Sequence, residues 1–377
     1  MSKSLLILVS HVSFFVSHRL DLAIAAKKMG YDVKVAFGEI DTDIKFLADL
    51  GIDCFHVPIE RGGTNIIKDL KSIYYIWKLL KKLCPDVVHL VTIKPYLYGG
   101  IASRIARIPC VVSAISGLGS LFVHSNFTNK LFRFFIYPIY KFALNHPNQF
   151  IVVQNNEDAN VLIKWGVLDF RKIRLIKGSG VKLDEFISKE EPPGTPRVCF
   201  AARLLIDKGI YEFVTAADLL NKRGINVQFC VAGDIDSKNP TSLSNEDLNK
   251  LKRNENVVIL GYQSDIKSLY ANSHIVCLPS YREGLPKALV EAAAASRAVV
   301  TTDVPGCKDA IIPNETGILV PIKNPIKLAD AIQWLVEHPN ERVLMGKAGR
   351  KLALNEFKIE KIIKQHFVIY EDLLRKT

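Results

Sequence analysis

Cysteine pairs, long apolar runs and the common nucleotide-loop signatures are all missing from this chain of 377 residues. The seven cysteines, at 54, 84, 110, 199, 230, 277 and 307, form no C-x-x-C pair, which argues against a zinc ribbon or a thioredoxin-type redox site. Most sit in apolar runs such as Val198-Cys199-Phe200 and read as reduced core thiols of a cytosolic protein. No apolar stretch approaches the roughly 20 residues of a membrane-crossing helix. The opening run Met1 to Val9 is too short for a signal-peptide core and reads as a first buried strand. No G-x-G-x-x-G follows a strand and no G-x-x-x-x-G-K-[ST] is present, which argues against nicotinamide, flavin and P-loop sites. G-x-S-x-G and H-x-x-x-H are absent too.

What is there fits a folded globular protein. Hydrophobic residues make up 49% and charged residues 23%, and the length allows two domains, each with its own core. The net charge of +12 asks for an anionic partner. RNA-binding signatures are absent, so no nucleic acid is expected; a membrane surface or a phosphorylated ligand remains. At about 100° per residue, the segment Ile66 to Leu83 sets Lys68, Lys71, Lys78 and Lys82 on one face and Ile66, Leu70, Ile73, Trp77 and Leu80 opposite. The segment Lys130 to Leu144 is rich in Phe, Tyr and Ile, with Lys130, Arg133 and Lys141 to one side. Both are either ordinary domain helices with solvated basic faces or the contact of a monotopic protein with an anionic inner membrane.

The first half alternates strands (5–9, 32–37, 54–58, 87–91, 110–114, 150–154 and 173–176) with helical patterns such as His18–Met29, which predicts an open parallel sheet of doubly wound type. The run Lys189-Glu190-Glu191-Pro192-Pro193-Gly194-Thr195-Pro196 is dense in Pro, Gly and charge and reads as the linker. The strand–helix pattern then restarts. The expected division is residues 1–190, residues 191–357 and a closing helix, 358–377, that returns to the first domain. The fold class is therefore α/β, two Rossmann-like doubly wound domains facing a cleft.

The richest stretch is L-P-S-Y-R-E-G-L-P-K-A-L-V-E-A, Leu278 to Ala292. An apolar strand pattern stops at Pro279-Ser280, a loop carries Glu283, and a helix begins near Pro286 with Glu291 about two turns in. Pro suits a helix start, and the amides freed there favour an anion. Arg203 and Lys208 follow the first strand of the second half, where two cations can neutralise a diphosphate. Gly233 and Gly261-Tyr262 end two further strands, and Gly233 would let a ligand approach the backbone. Carboxylates for hydroxyls, with cations and amides for phosphates, are what a nucleotide-sugar needs. Asp41/Asp43 and Asp234/Asp236 have a spacing that could hold a divalent metal, the second pair being the better placed.

With Arg203 and Lys208 before it, Pro279-Ser280-x-x-Glu283-Gly284-x-Pro286-x-x-x-x-Glu291-Ala292 resembles the donor site of retaining glycosyltransferases of family four, which have the GT-B fold. Within that family, Val299 to Cys307, His89 to Pro95 and Ile115 to Gly119 are similar to enzymes of surface-polysaccharide assembly, such as O-antigen or capsule. The resemblance implies a UDP-sugar donor, an undecaprenyl-diphosphate-linked saccharide acceptor and no cofactor or metal. It implies that Glu283 holds donor-sugar hydroxyls and Glu291 the ribose, and that Arg203 and Lys208 bind the diphosphate as it leaves. Gly284, Leu285, Pro286 and Lys287 would aid at the helix start, and Gly233 and Tyr262 would lie near the nucleoside. On the acceptor side the candidates are His11, His18, Arg19 and Lys94, read as strand-end residues, with Ser116 and Gly117 where the family often has a histidine. His124 is a more distant candidate.

Two other readings share this architecture. A UDP-sugar epimerase or hydrolase would need a well-placed acid or base in the first half. A non-catalytic nucleotide-sugar-binding subunit would be expected to lack Glu283, Arg203 or Lys208, and all three are present.

Overall fold

A computed structural model describes residues 2–60, 65–118 and 127–377, the side chains of 127–132 excepted. Gly119 and His124 lie outside the described residues, as does the Lys130 side chain. The chain divides into two units, one of residues 1–179 with 360–377 and the other of residues 180–359.

The first unit runs β1 (Ser4–His11), α1 (Val12–His18), α2 (Leu20–Lys28), β2 (Asp32–Glu39), α3 (Lys45–Asp49), β3 (Asp53–His56), α4 (Ile66–Leu83) and β4 (Val87–Val91). It continues with α5 (Ile93–Ala106), β5 (Cys110–Ile115), α6 (Phe127–Ala143), β6 (Gln149–Val153), α7 (Asn156–Lys164) and β7 (Ile173–Leu175). The strands are parallel, in the order β3-β2-β1-β4-β5-β6-β7. Side chains alternate across a strand, and the apolar run of β1 serves both faces. Leu5, Ile7 and Val9 enter one core, Leu6 and Leu8 the other.

The second unit runs β8 (Arg197–Ala201), α8 (Ile210–Lys222), β9 (Gln228–Ala232), α9 (Asn245–Lys252), β10 (Val257–Gly261), α10 (Ile266–Ala271), β11 (Ile275–Leu278) and α11 (Lys287–Ala294). It closes with β12 (Ala298–Thr302), β13 (Gly317–Val320), α12 (Pro325–Glu337) and α13 (Pro339–Leu352). Its parallel sheet has the order β10-β9-β8-β11-β12-β13. The final helix, α14 (Ile359–Leu374), belongs to the first unit's core. Ile362, Phe367, Ile369, Tyr370 and Leu373 pack with Leu5, Ile7 and Val9, and Tyr370 Oη hydrogen-bonds His89 Nδ1 of β4 at 2.5 Å.

The boundary at 179/180 precedes the Pro- and Gly-rich run, which lies inside the second unit. Buried arginines hold it there. Arg297, 1% exposed, donates to the carbonyls of Tyr270 at 2.9 Å, Lys189 at 3.0 Å and Ala271 at 3.0 Å. Arg342 forms an ion pair with Glu191 at 2.7 Å, and Arg350 donates to Leu183 O at 2.9 Å. A composition typical of linkers is overruled by Arg297, which donates to its backbone at Lys189 and Glu190, and by Arg342, which holds its Glu191 carboxylate.

Helix α4 also departs from expectation. Its buried side is Ser72, Ile76 and Leu80, with Ile73 and Trp77 partly covered, while Ile66 and Leu70 are exposed. Helical periodicity gives the azimuth of a side chain, but what lies beneath each turn decides its burial.

Replacing Arg297 with Leu removes the guanidinium donor from the part-buried carbonyls of Lys189, Glu190 and Ala271, and an unmet buried carbonyl costs about 1–3 kcal/mol. Urea unfolding of Arg297→Leu is expected to show a loss on the order of 3 kcal/mol; a loss under about 0.5 kcal/mol would refute the clamp.

Candidate active site

In the second unit the strand order reverses between β9-β8 and β11-β12, so the loops after β8 and β11 diverge from neighbouring strands. Open α/β sheets bind ligands at such a crevice, outside the carboxyl ends of the strands. Lys208 ends a 3₁₀ turn, Ile206–Lys208, that leads into α8 through Gly209 at φ 76°. A Cβ on Gly209 would lie 2.1 Å from Pro279 O, so glycine there lets the two loops close on each other. The Lys208 ammonium accordingly meets the Glu283 carboxylate in an ion pair. Ser280 Oγ lies 2.7 Å from Glu283 Oε1 and 3.0 Å from Asp207 O, and Tyr281 N donates to Asp207 O at 2.8 Å.

The loop after β12 braces the same corner. Glu283 N donates to Pro305 O at 3.1 Å, and Thr302 Oγ1 donates to Ser280 O. A Cβ on Gly306, at φ 81°, would stand 2.5 Å from Glu283 O and 2.6 Å from Gly284 O. Ser280, Thr302 and Gly306 were not among the predicted site residues. The sequence showed them only as parts of the family-like stretches at residues 279–292 and 299–307, with no role assigned.

Gly284, Leu285 and Pro286 are buried as they lead into α11, whose N-terminus no side chain caps. The positive end of that helix dipole favours an anion. One turn further, Lys287 and Glu291 form an i,i+4 ion pair at 3.4 Å. Burial raises the Glu291 carboxyl above the ordinary glutamate range, and nearby Lys287 only partly offsets it.

Arg203, half exposed, forms an ion pair with Asp236 Oδ2 at 2.6 Å. Asp236 thus serves as a counter-ion to a predicted diphosphate ligand, while Asp234 accepts from Ile235 N at 2.8 Å. In the other pair, Asp41 accepts from Ser13 N at 2.9 Å and Asp43 from Lys45 N at 3.0 Å, which are turn-capping roles. Among the described residues no group of three or more His, Cys, Asp or Glu side chains is placed to hold a metal ion. At Gly233 the space of a side chain is filled by Ala202 O, 1.8 Å from an ideal Cβ, so the close approach of two backbones already demands glycine. Tyr262 is exposed, just past the edge strand β10 and two strands from β8, about 10 Å at ordinary strand spacing.

In the first unit His11, Lys94 and Ser116 lie at or just past the carboxyl ends of the neighbouring strands β1, β4 and β5, whereas His18 and Arg19 lie further along the chain. His11 ends β1, where Ser10 Oγ lies 2.8 Å from its Nδ1. His18 closes α1, stacked on Phe14 at 4.2 Å, and Arg19 follows it, so both stand a whole helix beyond the strand end they were read at. Arg19 is buried, donates to His18 O at 2.9 Å and lies beside Tyr370; burial pulls its pKa down to about 10. Residues Val12 to His18 fold as α1, with Val12 and Phe15 drawn into the core. Lys94, in the first turn of α5, pairs with Asp69 of α4 at 3.2 Å. Thr92 before it has a positive φ, 75°. Ser116 and Gly117, the latter at φ 130°, follow β5 and are half-buried.

Two α/β units, the second with cation–carboxylate pairs and an uncapped helix start at its switch point, define a GT-B type enzyme. The chain belongs to the glycosyltransferase family, matching the models described as glycosyl transferases group 1 over residues 182–352 and glycosyl transferase 4-like over residues 4–155. It is 31% identical to N,N'-diacetylbacillosaminyl-diphospho-undecaprenol alpha-1,3-N-acetylgalactosaminyltransferase of Campylobacter jejuni, over 98% of this chain and 99% of that one. It is 28% identical to UDP-Gal:alpha-D-GlcNAc-diphosphoundecaprenol alpha-1,3-galactosyltransferase of Escherichia coli, over 91% and 90%. Among solved structures, Anabaena HepE in complex with UDP and glucose superposes with a TM-score of 0.74 at 17% identity, over 96% of this chain and 98% of that one. These relatives do not favour the epimerase or hydrolase reading.

The raised Glu291 pKa makes a signed prediction. The proton is held more tightly in the folded state, so its stabilisation is present at acid pH and lost as pH rises through the folded value. Glu291→Gln should therefore gain melting temperature relative to the native protein as pH goes from 4 to 8. A difference constant across that range would contradict the assigned burial cost.

Proposed function

We propose that this glycosyltransferase moves a hexose or N-acetylhexosamine from a UDP-sugar to a polyprenyl-diphosphate-linked saccharide, with retention at the anomeric carbon. The named relatives that match along nearly the whole chain act on diphospho-undecaprenol-linked sugars, which supports the acceptor class. We place its work at the cytoplasmic face of an anionic inner membrane, where such an acceptor's lipid is anchored; the charge of +12 supports this.

The observation that carries the donor reading is the Lys208–Glu283 pair held by Ser280 beside the start of α11. Lys208, Arg203 and Lys287 are each matched by a carboxylate. A donor diphosphate takes the place of those carboxylates around Lys208 and Arg203. An exposed pair such as Arg203–Asp236 is worth roughly 0–1 kcal/mol, so exchanging it costs little. Glu283, released toward the sugar, accepts from its hydroxyls, and Glu291 accepts from the ribose. As the bond to the anomeric carbon breaks, negative charge gathers on the diphosphate, where Lys208, Arg203 and the α11 amides are already oriented. On this reading Lys208, Arg203 and the α11 amides themselves supply the charge that stabilises the leaving group, so catalysis proceeds without a divalent metal. His11, Lys94, Ser116 and Gly117 remain the acceptor-side candidates; buried Arg19 is better assigned to holding α1 and α2 against α14.

A screen of UDP-sugars with release of UDP as readout identifies the donor. With it, Glu283→Gln should lower turnover by about 100-fold or more, the range for removing one preorganised group, while UDP binding stays within about threefold. Unchanged turnover would sink the role of Glu283. Transfer should also continue at full rate in excess EDTA, and strict dependence on Mg²⁺ or Mn²⁺ would return Asp234 and Asp236 to consideration.

A further inference from the structure

In the proposed transfer the donor diphosphate draws Lys208 away from Glu283, so the ion pair that braces this carboxylate is given up when the sugar arrives. A contact that holds the loop after β11 without using Lys208 or Glu283 persists through that change. Tyr281 makes one. Its Oη donates to Glu212 Oε1, in the first turn of α8, at 2.7 Å, and its amide donates to Asp207 O at 2.8 Å. The side chain and the backbone of one residue thus tie this loop to the segment after β8 at two points, on either side of Gly209 in the chain.

The bond is of a strong kind. A hydroxyl donating to a carboxylate is shorter and roughly twice as strong as a bond between neutral groups. Burial, and then Glu212 itself, push the Tyr281 phenol well above its ordinary range, so it stays protonated and donates. Lys323, in the loop between β13 and α12, sets its ammonium 5.1 Å from the centre of the Tyr281 ring, within cation–π reach. The ring is therefore held at its hydroxyl by α8 and at its face by a third loop. An acid in the first turn of a helix is favoured by the helix dipole whatever else it does, and that role alone would let the carboxylate point to water. The Glu212 carboxylate instead turns to Tyr281, with Oε1 given to the phenol and Oε2 buried.

We propose that Tyr281 and Glu212 are positioning residues for the transfer. They act through Glu283: their bond fixes the loop backbone, so that once Lys208 has turned to the diphosphate the Glu283 carboxylate stays where the sugar hydroxyls arrive. The inference rests on the reading of Glu283 as the residue that accepts from the donor sugar, and adds what keeps it in place. A group displaced by about 1 Å can cost on the order of 100-fold in rate. A loosened anchor displaces the loop only part of the time, so its cost is smaller and falls on turnover rather than on binding of the nucleotide.

The experiment measures kcat and KM by UDP release on the full-length protein with the donor found by the screen, and affinity for UDP by calorimetry. Tyr281→Phe and Glu212→Leu should each lower kcat about tenfold, with donor KM and UDP affinity within about threefold of native. Glu212→Gln keeps an acceptor oxygen for the phenol and should recover most of the turnover that Glu212→Leu loses. Two residues that act through one bond are not additive, so Tyr281→Phe/Glu212→Leu should match the single variants, and adding Tyr281→Phe to Glu283→Gln should cost less than about twofold more. Tyr281→Phe removes only a hydroxyl and keeps the test open if Glu212→Leu fails to fold. Turnover of Tyr281→Phe within about twofold of native, losses that multiply in the Tyr281/Glu212 double variant, or a Tyr281→Phe loss that persists in full beside Glu283→Gln would each overturn the positioning role. Unchanged turnover in Glu283→Gln alone would instead count against the reading of Glu283 itself.

Discussion

The direct pairing of β8 with β11 is the constraint on which the candidate site depends. Ile275 and Val276 lie in register with Val198 and Cys199, although nearly eighty residues separate them in the chain. Both strands are buried and parallel, so their carboxyl ends open on the same edge. The loop after one delivers Lys208 and the loop after the other delivers Glu283. Gly209 and Gly306 then allow backbone approaches that no side chain would permit. Strand pairing sets the site to within a loop's length, and the glycines close the remaining distance.

Electrostatics completes the arrangement. Arg203, Lys208 and Lys287 are each matched by a carboxylate. The balance keeps Lys208 and Glu283 from standing as unpaired charges in a partly covered corner, which would be costly. The uncapped start of α11 adds positive potential that titration of a side chain does not remove. Buried Glu291 carries the opposite character, a carboxylate whose desolvation is tolerated in the folded protein beside Lys287.

Much of this was legible in the chain. Strands such as Val87–Val91, Ile275–Leu278 and Ala298–Thr302 read directly, because a strand covered on both faces must be apolar throughout. Glu283, Lys208 and Arg203 were legible as strand-end residues before helices. Other residues were not, and for definite reasons. Arg19 looks like a strand-end cation, but α1 intervenes and burial places it beside Tyr370. The run Lys189 to Pro196 has the composition of a linker, yet Arg297, Arg342 and His274 bind its carbonyls or carboxylate. Ile66 and Leu70 have the right azimuth to be buried and are exposed.

The sequence by itself determined the two α/β patterns and the residue types gathered near the Gly-Leu-Pro corner, since periodicity and local turn chemistry depend on neighbours in the chain. It also carried the cations and carboxylates that mark a nucleotide-sugar site. Only the tertiary structure decided which charges meet. Lys208 finds Glu283, Arg203 finds Asp236, and Tyr370 of the last helix reaches His89 in the first sheet. Contacts between residues far apart in the chain follow from strand order and from what lies beneath each helix, and no local pattern encodes either.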